Sequence, residues 1–381
     1  MKPVTFSATA HLTRRWQPDR IIIGCALGLC CFGLVAVASA SMPISDRDFN
    51  QPLMLFWRQL IFAGTGILCA CAAFQIPTGV WPHWRMVILV SAFFLGIIVL
   101  IPSIGISVNG SRRWIDLMFL RLQASELIRL LLIVYLSAYV DKYHELLPSN
   151  RMAFFKPVFI LILAATLFLM QPDLGAAVLL ITTGILMLFV AGAPLSRCLS
   201  FGAAGIAAIA VLIVKTPYRF ERLMVFLDPW QDPFDSGYQL IQSMVAIGSG
   251  GLSGLGLGQS MQKLFYLPEA HTDFIFSIIA EEMGLFGATF LILCFLLLLS
   301  RGLTIARMAS ERSWAFGAAL AYGISISLGL QAFINIAMTM GLLPTKGLAL
   351  PFISYGGSSL IMTWLMIGLL LRVHKECVDE Y

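Results

Sequence analysis

The sequence predicts an all-α polytopic membrane protein with ten transmembrane helices and one long outer loop that carries short amphipathic helices. Three observations lead to this fold class. Of the 381 residues, 59% are apolar and 12% are charged, against roughly 25% charged residues in soluble domains. Ten apolar runs approach the ~20 residues that a helix needs to cross a bilayer. One segment, 216–272, is too long for a simple connection.

Each apolar run predicts one helix. The first run follows a polar tail and is long enough to span, so we expect no cleavable signal peptide. The stretch 155–191 looks continuous, but Gln171, Pro172 and Asp173 divide it into two spans with a tight turn between them. The predicted runs are 21–40, 55–76, 86–101, 124–140, 155–171, 174–191, 198–215, 273–299, 314–340 and 350–371.

The basic residues predict the orientation of the chain. An even number of spans places both termini on one side, and the loops on that side carry Arg151, Lys156 and Arg312. By the positive-inside rule this side is the cytoplasm, so the long loop is expected outside. The predicted units are a cytoplasmic tail 1–20, a membrane domain 21–372 that includes the loop 216–272, and a cytoplasmic tail 373–381.

Basic residues also occur on the predicted outer side, where that rule disfavours them. They lie in loops dense with glycine and aromatic residues such as Trp114, which indicates an anionic ligand there. For any single residue, pairing with a loop carboxylate or a lipid phosphate is the better interpretation. The outer basic residues are Arg112, Arg113, Arg121, Arg219, Arg222, Lys263 and Lys346.

The long outer loop combines two patterns. Apolar residues at helical intervals, such as Phe220, Leu223 and Phe226, predict short amphipathic helices on the membrane surface. The glycine run GSGGLSGLGLG at 248–258 follows no strand and opens no βαβ unit, which argues against a dinucleotide site. It predicts a turn-rich re-entrant stretch or a close approach of the backbone to a ligand.

Carboxylates concentrate in the stretch KLFYLPEAHTDFIFSIIAEEMG, residues 263–284. Such groups are rare at a bilayer boundary unless they are paired, wet or functional. Asp273 stands where a helix would start, and Glu281 follows on a nearby face about 12 Å deeper at 1.5 Å rise per residue. Two interpretations of Asp273 stay open at this point: it caps the helix, or it is a functional acid at the mouth of the bundle.

Polar residues inside the predicted spans give further candidates. Glu126 and Arg129 can pair on one face of the fourth helix, either as a functional site or as a structural pair that locks the bundle. Gln331, Asn335 and Thr339 line one face of the ninth span, where we expect hydrogen bonds across helices. The spacing of cysteines and histidines does not match that of a metal site.

Three separated blocks carry a specific resemblance: NGSRRWIDL with QASELIRL in 109–130, LPEAHTDFIFSIIAEEMG in 267–284, and GLLPTKGLALPFISYGGSS in 341–359. With QPDLG at 171–175 they make the chain resemble, over nearly its whole length, the SEDS family of peptidoglycan glycosyltransferases (shape, elongation, division and sporulation proteins). Lys346 between Thr345 and Gly347, and Ala270 before His271, look more like the cell-division member than the elongation member.

The resemblance implies an enzyme of the bacterial inner membrane, at the division septum, with its active site facing the periplasm. It would polymerise lipid II into β-1,4 glycan strands and release undecaprenyl pyrophosphate. The implied partners are lipid II, a class B penicillin-binding protein with transpeptidase activity, other divisome proteins and membrane lipid, without nucleic acid. A divalent cation, magnesium or manganese, could share the charge of the pyrophosphate, although the sequence contains no dedicated metal cage.

By the same resemblance, Asp273 matches the family's essential aspartate, and Glu126 and Arg129 match its glutamate and basic residue on the fourth helix. Asp273 is the best-placed general base, and partial burial should raise its pKa. The family commonly has proline and lysine where this chain has Ala124 and Arg129. Arginine cannot deprotonate, which puts a proton shuttle by Arg129 in doubt. The candidate substrate-binding residues are Arg112, Arg113, Trp114, Arg219, Arg222, His271, Lys346 and Ser358.

Functions of two other classes stay open. A lipid II flippase or other transporter would favour internal repeats and polar breaks near the midplane, whereas here no clear repeat is visible and the acids concentrate at the outer lip. A structural divisome scaffold would leave Asp273 and Glu126 without a chemical purpose. The elongation and sporulation relatives also stay open.

Overall fold

The structure is a computed structural model that describes residues 18–108, 110–116, 121–235 and 237–379. Of Val108, residues 217–219 and Asp379 it describes the backbone alone. Helices dominate these ranges, as predicted, and a helix occupies each of the ten apolar runs. The helices are α1 Arg20–Phe49, α2 Met54–Gln75, α3 Arg85–Ile98, α4 Ala124–Tyr143, α5 Arg151–Met170, α6 Leu174–Val190, α7 Leu195–Lys215, α8 Pro217–Leu227, α9 Tyr238–Ser249, α10 Ile275–Glu311, α11 Ala315–Thr339 and α12 Gly357–Asp379.

Helix length and composition make this a multi-pass membrane protein. Within the described residues, seven helices are long and apolar enough to cross a bilayer, namely α1, α2, α5, α7, α10, α11 and α12. The apolar helices α3 and α6 are shorter, with 14 and 17 residues. The 20-residue α4 carries two charged residues, Glu126 and Arg129, in its first turns. Ten spans therefore stay a prediction, while several spans are established.

Three helices, α4, α11 and α12, form the centre of the bundle. Almost all of α4 from Ala124 to Val140 is buried, and α11 packs against α4, α6 and α10. The helix α12 packs along α2 and continues to Asp379, beyond the predicted apolar run. In contrast, Cys198 is the buried residue of α7. That helix therefore lies at the periphery, where it offers apolar surface to lipid.

A small sheet between α3 and α4 is absent from the sequence prediction. The strands β1 (Gly105–Val108), β2 (Ser111–Asp116) and β3 (Arg121–Gln123) pair antiparallel in the order β1-β2-β3. Gly110, at φ 76°, lies between the first two strands, and the neighbouring Asn109 lies outside the described residues. The sheet matters for function because β2 carries two adjacent candidate arginines.

The helix α10 is broken near its start, where the sequence predicts one continuous apolar run. Gly284 has φ 64° and ψ −162°, a conformation open to glycine but strained for other residues. The glycine-rich loop takes over the hydrogen bonds that the break frees. The Gly256 amide donates to the Glu282 carbonyl at 2.9 Å, and the Leu285 amide donates to the Gly251 carbonyl, also at 2.9 Å. The predicted close backbone approach is thus an approach to α10.

The long loop contains two short helices, α8 and α9, as its apolar intervals predicted. The helix α9 packs against α10 and α11. Ser243 joins them, because its hydroxyl lies 2.6 Å from that of Ser277 and donates to the Thr339 carbonyl at 2.7 Å. The loop is therefore attached to the end of the bundle where α11 ends and α10 begins. A location of these helices on the membrane surface stays a prediction.

Candidate functional site

Asp273 lies in a turn directly before α10, at the junction of the long loop and the bundle. The N-cap residue of α10 is Phe274, and no side chain accepts a capping hydrogen bond there. The capping interpretation of Asp273 is therefore wrong. Its side chain is half-buried, and within the described residues its carboxylate accepts no hydrogen bond. The acid is held in place through its backbone instead.

Three consecutive backbone carbonyls fix this turn. The His271 carbonyl accepts from the Tyr355 amide at 2.9 Å. The Thr272 carbonyl accepts from the Ser354 hydroxyl at 2.6 Å. The Asp273 carbonyl accepts from the side-chain amide of Asn335 at 2.9 Å. The donors come from α11 and from the segment between α11 and α12, which we call the C-terminal loop (residues 341–356). The acid is thus attached to elements more than sixty positions further along the chain.

The C-terminal loop passes directly beside the carboxylate at Gly347. A Cβ placed on Gly347 would lie 3.0 Å from Asp273 Oδ2 and 3.4 Å from Arg113 Nη2. The first separation is tighter than most real Cβ contacts and the second is an ordinary contact, so a side chain at this position would press on the Asp273 carboxylate. The carboxylate and the guanidinium therefore face the same point of the C-terminal loop. Sequence motifs separated by more than 150 positions meet at this point.

The surroundings tune the acid for proton transfer. Burial, followed by the nearby charge of Glu269, raises the pKa of Asp273 to about 7. Arg113 and Arg222 oppose this shift in the pKa, because a positive charge favours the carboxylate. A carboxyl group with a pKa near neutrality can accept a proton at physiological pH and release it again. The predicted rise in the pKa of Asp273 is confirmed in direction by this geometry.

Three of the candidate basic residues lie around this carboxylate. Arg113 Nη1 is 3.6 Å from Asp173 Oδ2, and its guanidinium faces Gly347 on the other side. Arg222 donates to the Thr345 carbonyl at 3.3 Å. Burial lowers the pKa of Lys346, and the charge of Asp173 opposes that shift. The segment Thr345–Gly347 thus collects positive charge beside the acid.

Asp173 belongs to this arrangement, although the sequence analysis treated it as part of a turn between two spans. Its carboxylate caps α6 by accepting from the Ala176 amide at 3.0 Å, and it also accepts from the Ser125 hydroxyl at 3.2 Å. The remaining partner is Arg113. Asp173 is therefore the described counter-charge of that arginine. The signal that could have identified it is the QPDLG block, which carried part of the resemblance.

Glu126 and Arg129 form a buried ion pair on α4, as their spacing predicted. Their described contact is with each other, and no described contact connects either of them directly to Asp273. A link exists through their neighbour Ser125, which bonds to Asp173. The described connection between the pair and Asp173 therefore runs through Ser125. A direct part in the chemistry stays a prediction.

The remaining candidates are spread around the site. Arg112 donates to the Leu100 carbonyl at 3.3 Å, which ties β2 to the end of α3. Trp114 pairs through its backbone with Ile106 and Gln123 inside the sheet. Ser358 is buried, and its hydroxyl accepts from the Gln123 amide at 3.3 Å. Through these contacts the sheet is joined to the segment after α3 and to the start of α12. A role in substrate binding stays a prediction for each of the three residues.

His271 stands two residues before the acid, with its ring centroid 5.6 Å from that of Tyr355. Burial lowers its pKa, so the neutral imidazole is favoured. The side chain of Arg219 lies outside the described ones, so its predicted role is open. Among the described residues, no three His, Cys, Asp or Glu side chains cluster as metal ligands. The presence of a divalent cation stays a prediction.

Two cavities in the described part of the structure have linings that do not include Asp273. One of about 240 Å³ is found at the opposite end of α11, beside His144 and Tyr322. A second, of about 260 Å³, is an apolar groove between α10 and α11 lined by residues such as Phe295 and Phe333. Neither contains an acid or a lysine. Asp273 and Arg113 line neither of these two cavities.

Fold and site together describe a multi-pass membrane protein with an acid of raised pKa facing basic groups at one end of its bundle. The profile of the family described as "Cell cycle protein" (FtsW, RodA and SpoVE) matches residues 19–378, so the chain belongs to this family. The resemblance to SEDS proteins seen in the sequence is thereby confirmed.

Relatives and solved structures agree with this membership. The chain is 48% identical to the "Probable peptidoglycan glycosyltransferase FtsW" of Thioalkalivibrio sulfidiphilus, covering 100% of this chain and 96% of the relative. It is 47% identical to the protein of the same name from Coxiella burnetii, over 96% and 98% of the two chains. A structure titled "Structural coordination of polymerization and crosslinking by a peptidoglycan synthase complex" matches with TM-score 0.79, 29% identity and coverage of 95% and 99%. The Thermus thermophilus rod shape determining protein RodA matches with TM-score 0.72, 27% identity and coverage of 96% and 99%.

Proposed function

We propose that the protein is a peptidoglycan glycosyltransferase that polymerises lipid II into β-1,4 glycan strands during septal cell-wall synthesis. The names of its relatives support this activity. The observation that carries the proposal is the arrangement at Gly347, where the Asp273 carboxylate and the Arg113 guanidinium face one point from two sides. A base beside a cation is what glycosyl transfer from a pyrophosphate requires.

In the proposed reaction Asp273 is the general base. The carboxylate accepts the proton of the acceptor sugar hydroxyl, whose oxygen then forms a bond to the anomeric carbon of the donor. The bond between that carbon and the pyrophosphate breaks, and undecaprenyl pyrophosphate leaves with the electron pair. A pKa of about 7 for Asp273 suits this task, because the base is largely ionised above neutral pH and still takes a proton readily.

The leaving pyrophosphate requires positive charge, and the site offers it on three side chains. Arg113 presents a planar fork suited to phosphate oxygens. Lys346 and Arg222 lie on the same segment of the C-terminal loop or bond to it. Asp173 holds Arg113 in orientation at 3.6 Å. Arg129 acts at a distance, through charge and pairing, since arginine does not exchange its proton.

The proposal includes a location and a partner. We place the site on the periplasmic face of the inner membrane, at the division septum, where lipid II is available. The expected partner is a class B penicillin-binding protein with transpeptidase activity, together with other divisome membrane proteins. A structural relative with 29% identity is described as part of a peptidoglycan synthase complex, which supports such a partner.

The experiment that tests the proposal compares the full chain and its Asp273→Asn variant, purified with the transpeptidase partner and supplied with lipid II. Gel-resolved glycan should fall about 10²- to 10⁴-fold, the usual contribution of a general base, while expression and lipid II binding stay normal. The matched control is Glu311→Gln, a carboxylate-to-amide substitution at an exposed residue at the far end of α10, which should polymerise normally. Robust polymerisation by Asp273→Asn would reject the assignment and favour transport or a scaffold.

A further inference from the structure

Three buried side-chain amides surround the C-terminal loop and bond to its backbone. On α2, Gln59 donates to the Ser354 carbonyl at 3.0 Å and accepts from the Gly356 amide at 3.3 Å. On α11, Gln331 donates to the Ala349 carbonyl at 2.9 Å. Asn335 lies one turn further along α11. These side chains are 0 or 1% exposed, so the loop that carries Lys346 is fixed from two sides by groups that exclude water.

Asn335 differs from the two glutamines because it bonds to two separate segments. Its Nδ2 donates to the Leu348 carbonyl at 2.6 Å and to the Asp273 carbonyl at 2.9 Å. Both partners are acceptors, so each must receive one of the two amide hydrogens, which fixes the orientation of the side chain. A single NH₂ group therefore joins the turn before α10 to the C-terminal loop. Gln59 and Gln331 do not reach that turn.

We propose that Asn335 is a positioning residue for the general base, acting through the backbone of Asp273. The proposal rests on the function proposed above. The carboxylate of Asp273 has no hydrogen-bond donor among the described residues, so its location depends on where its backbone is held. The carbonyl that Asn335 binds belongs to Asp273 itself, whereas the Tyr355 and Ser354 donors bind the two residues before it.

The side-chain amide of Asn335 also sets the distance between the Asp273 carboxylate and the segment that carries Lys346. Leu348 follows Lys346 and Gly347 directly, and Gly347 is the point that Asp273 and Arg113 both face. When one NH₂ group holds Asp273 and Leu348 together, the carboxylate and the Lys346 segment keep a fixed separation. A misplacement of about 1 Å can cost about 10²-fold in rate. Loss of Asn335 should consequently affect catalysis beyond its effect on packing.

The test compares Asn335→Leu with Gln331→Leu in the full chain with its transpeptidase partner. Each substitution removes a buried amide of α11 and leaves loop carbonyls without a donor, so both should lower the thermal midpoint. We expect kcat for lipid II polymerisation to fall roughly 10- to 100-fold in Asn335→Leu, with KM within about threefold. In Gln331→Leu, kcat should stay within about threefold of the unsubstituted protein, because Asp273 keeps its donor.

A second variant and a second measurement distinguish a positioning role of Asn335 from a folding defect. Asn335→Ser is smaller and retains one hydroxyl donor, so we expect it to fold and to show an intermediate loss of kcat. The acid limb of kcat/KM, which reports the ionisation of the base, should move in both Asn335 variants and stay in place in Gln331→Leu. Equal kcat and equal pH profiles in the Asn335 and Gln331 variants would overturn the proposal.

The Asp273→Asn variant separates this inference from the proposed function. If Asp273→Asn polymerises lipid II, the proposed function fails and Asn335 has no base to position. If Asp273→Asn is inactive and the Asn335 variants behave like Gln331→Leu, the positioning role alone is overturned. Adding Asn335→Leu to Asp273→Asn should cause little further loss, since two residues that act as a unit are not additive.

Discussion

Three acidic residues in one short stretch of this chain differ in whether their carboxylates accept hydrogen bonds. At the break in α10, Glu282 accepts from the Ser39 hydroxyl at 2.7 Å and from the Lys263 ammonium at 2.7 Å. Its neighbour Glu281 accepts from the Met261 amide at 3.0 Å and from the Ser260 hydroxyl. Eight residues before Glu281, the half-buried Asp273 has no hydrogen-bond donor on its carboxylate among the described residues.

The difference separates structural acids from a chemical one. Each of the two glutamate carboxylates accepts at least two hydrogen bonds, and these bonds connect residues 260–263 and α1 to α10. Asp273 is held by its backbone and lies with Arg113 beside Gly347; under the proposed function its oxygens are the ones that receive the proton of the substrate hydroxyl. An acid whose charged form is incompletely satisfied is a candidate for proton transfer.

The largest effect that tests this comparison is expected from substitution of Asp273 itself. Besides the 10²- to 10⁴-fold loss of polymerisation, Asp273→Asn should not destabilise the fold. The folded-state pKa of Asp273 is raised to about 7, so between about pH 4 and 7 the folded state binds the proton more tightly than the unfolded chain. Stability therefore falls as pH rises through this window, and asparagine removes that loss. We expect an equal or higher thermal midpoint at pH 8, measured in detergent; a marked decrease would assign Asp273 a structural role.

Substitution of Glu282, unlike that of Asp273, should destabilise the fold. Its ion pair with Lys263 is almost completely buried, with side-chain exposures of 8% for Lys263 and 4% for Glu282. Glu282→Ala leaves the ammonium buried without its counter-charge, which should cost about 3–5 kcal/mol of stability. The double variant Lys263→Met with Glu282→Met removes both charges and should recover most of the thermal midpoint. If the single and double variants melt alike, the pair does not hold the loop.

The sequence permits most of the helical frame to be predicted, because long apolar runs are reliable signals. It does not predict the sheet, whose strands of three to six residues mix charged and apolar positions without clear alternation. The break at Gly284 is missed as well, since an isolated glycine in an apolar run is usually tolerated. Its cause lies in the distant glycine-rich loop, which supplies the missing hydrogen-bond partners.

The candidate site likewise combines residues that the sequence predicts with residues that only the structure reveals. Asp273 and the basic residues follow from the motifs, and their types suit the chemistry. The roles of Asp173 and Asn335 depend on which segments meet in three dimensions. Asp173 pairs with Arg113 across a distance of 60 positions in the chain. For Asn335 the sequence predicted a hydrogen bond between helices, and the structure instead directs its amide to two loop carbonyls.

The Glu126–Arg129 pair on α4 extends the comparison. The Glu126 carboxylate has a bonding partner, as those of Glu281 and Glu282 do, and the adjacent Ser125 bonds to Asp173 of the site. Glu126→Gln keeps the shape of the side chain but leaves the buried Arg129 guanidinium without a counter-charge. We expect a loss of about 1–3 kcal/mol in stability, seen as a lower thermal midpoint. A charge-swapped variant, Glu126→Arg with Arg129→Glu, should regain the midpoint. Polymerisation that returns together with the midpoint would make the pair structural; a variant that is stable but inactive would support an electrostatic part in the reaction.

The smallest expected effect tests the electrostatic origin of the Asp273 pKa. Glu269 is exposed, four residues before Asp273, and its charge raises the pKa of that acid. Glu269→Gln should therefore lower the pKa of Asp273 and move the acid limb of kcat/KM to lower pH. At pH 6 the rate should rise about twofold, the order of magnitude for one screened charge, and at pH 8 it should not change. The matched control is Glu311→Gln, an exposed glutamate at the far end of α10, which should leave the limb in place. A limb that stays in place in Glu269→Gln, or that moves equally in both variants, would show that the charge of Glu269 does not raise the pKa of Asp273.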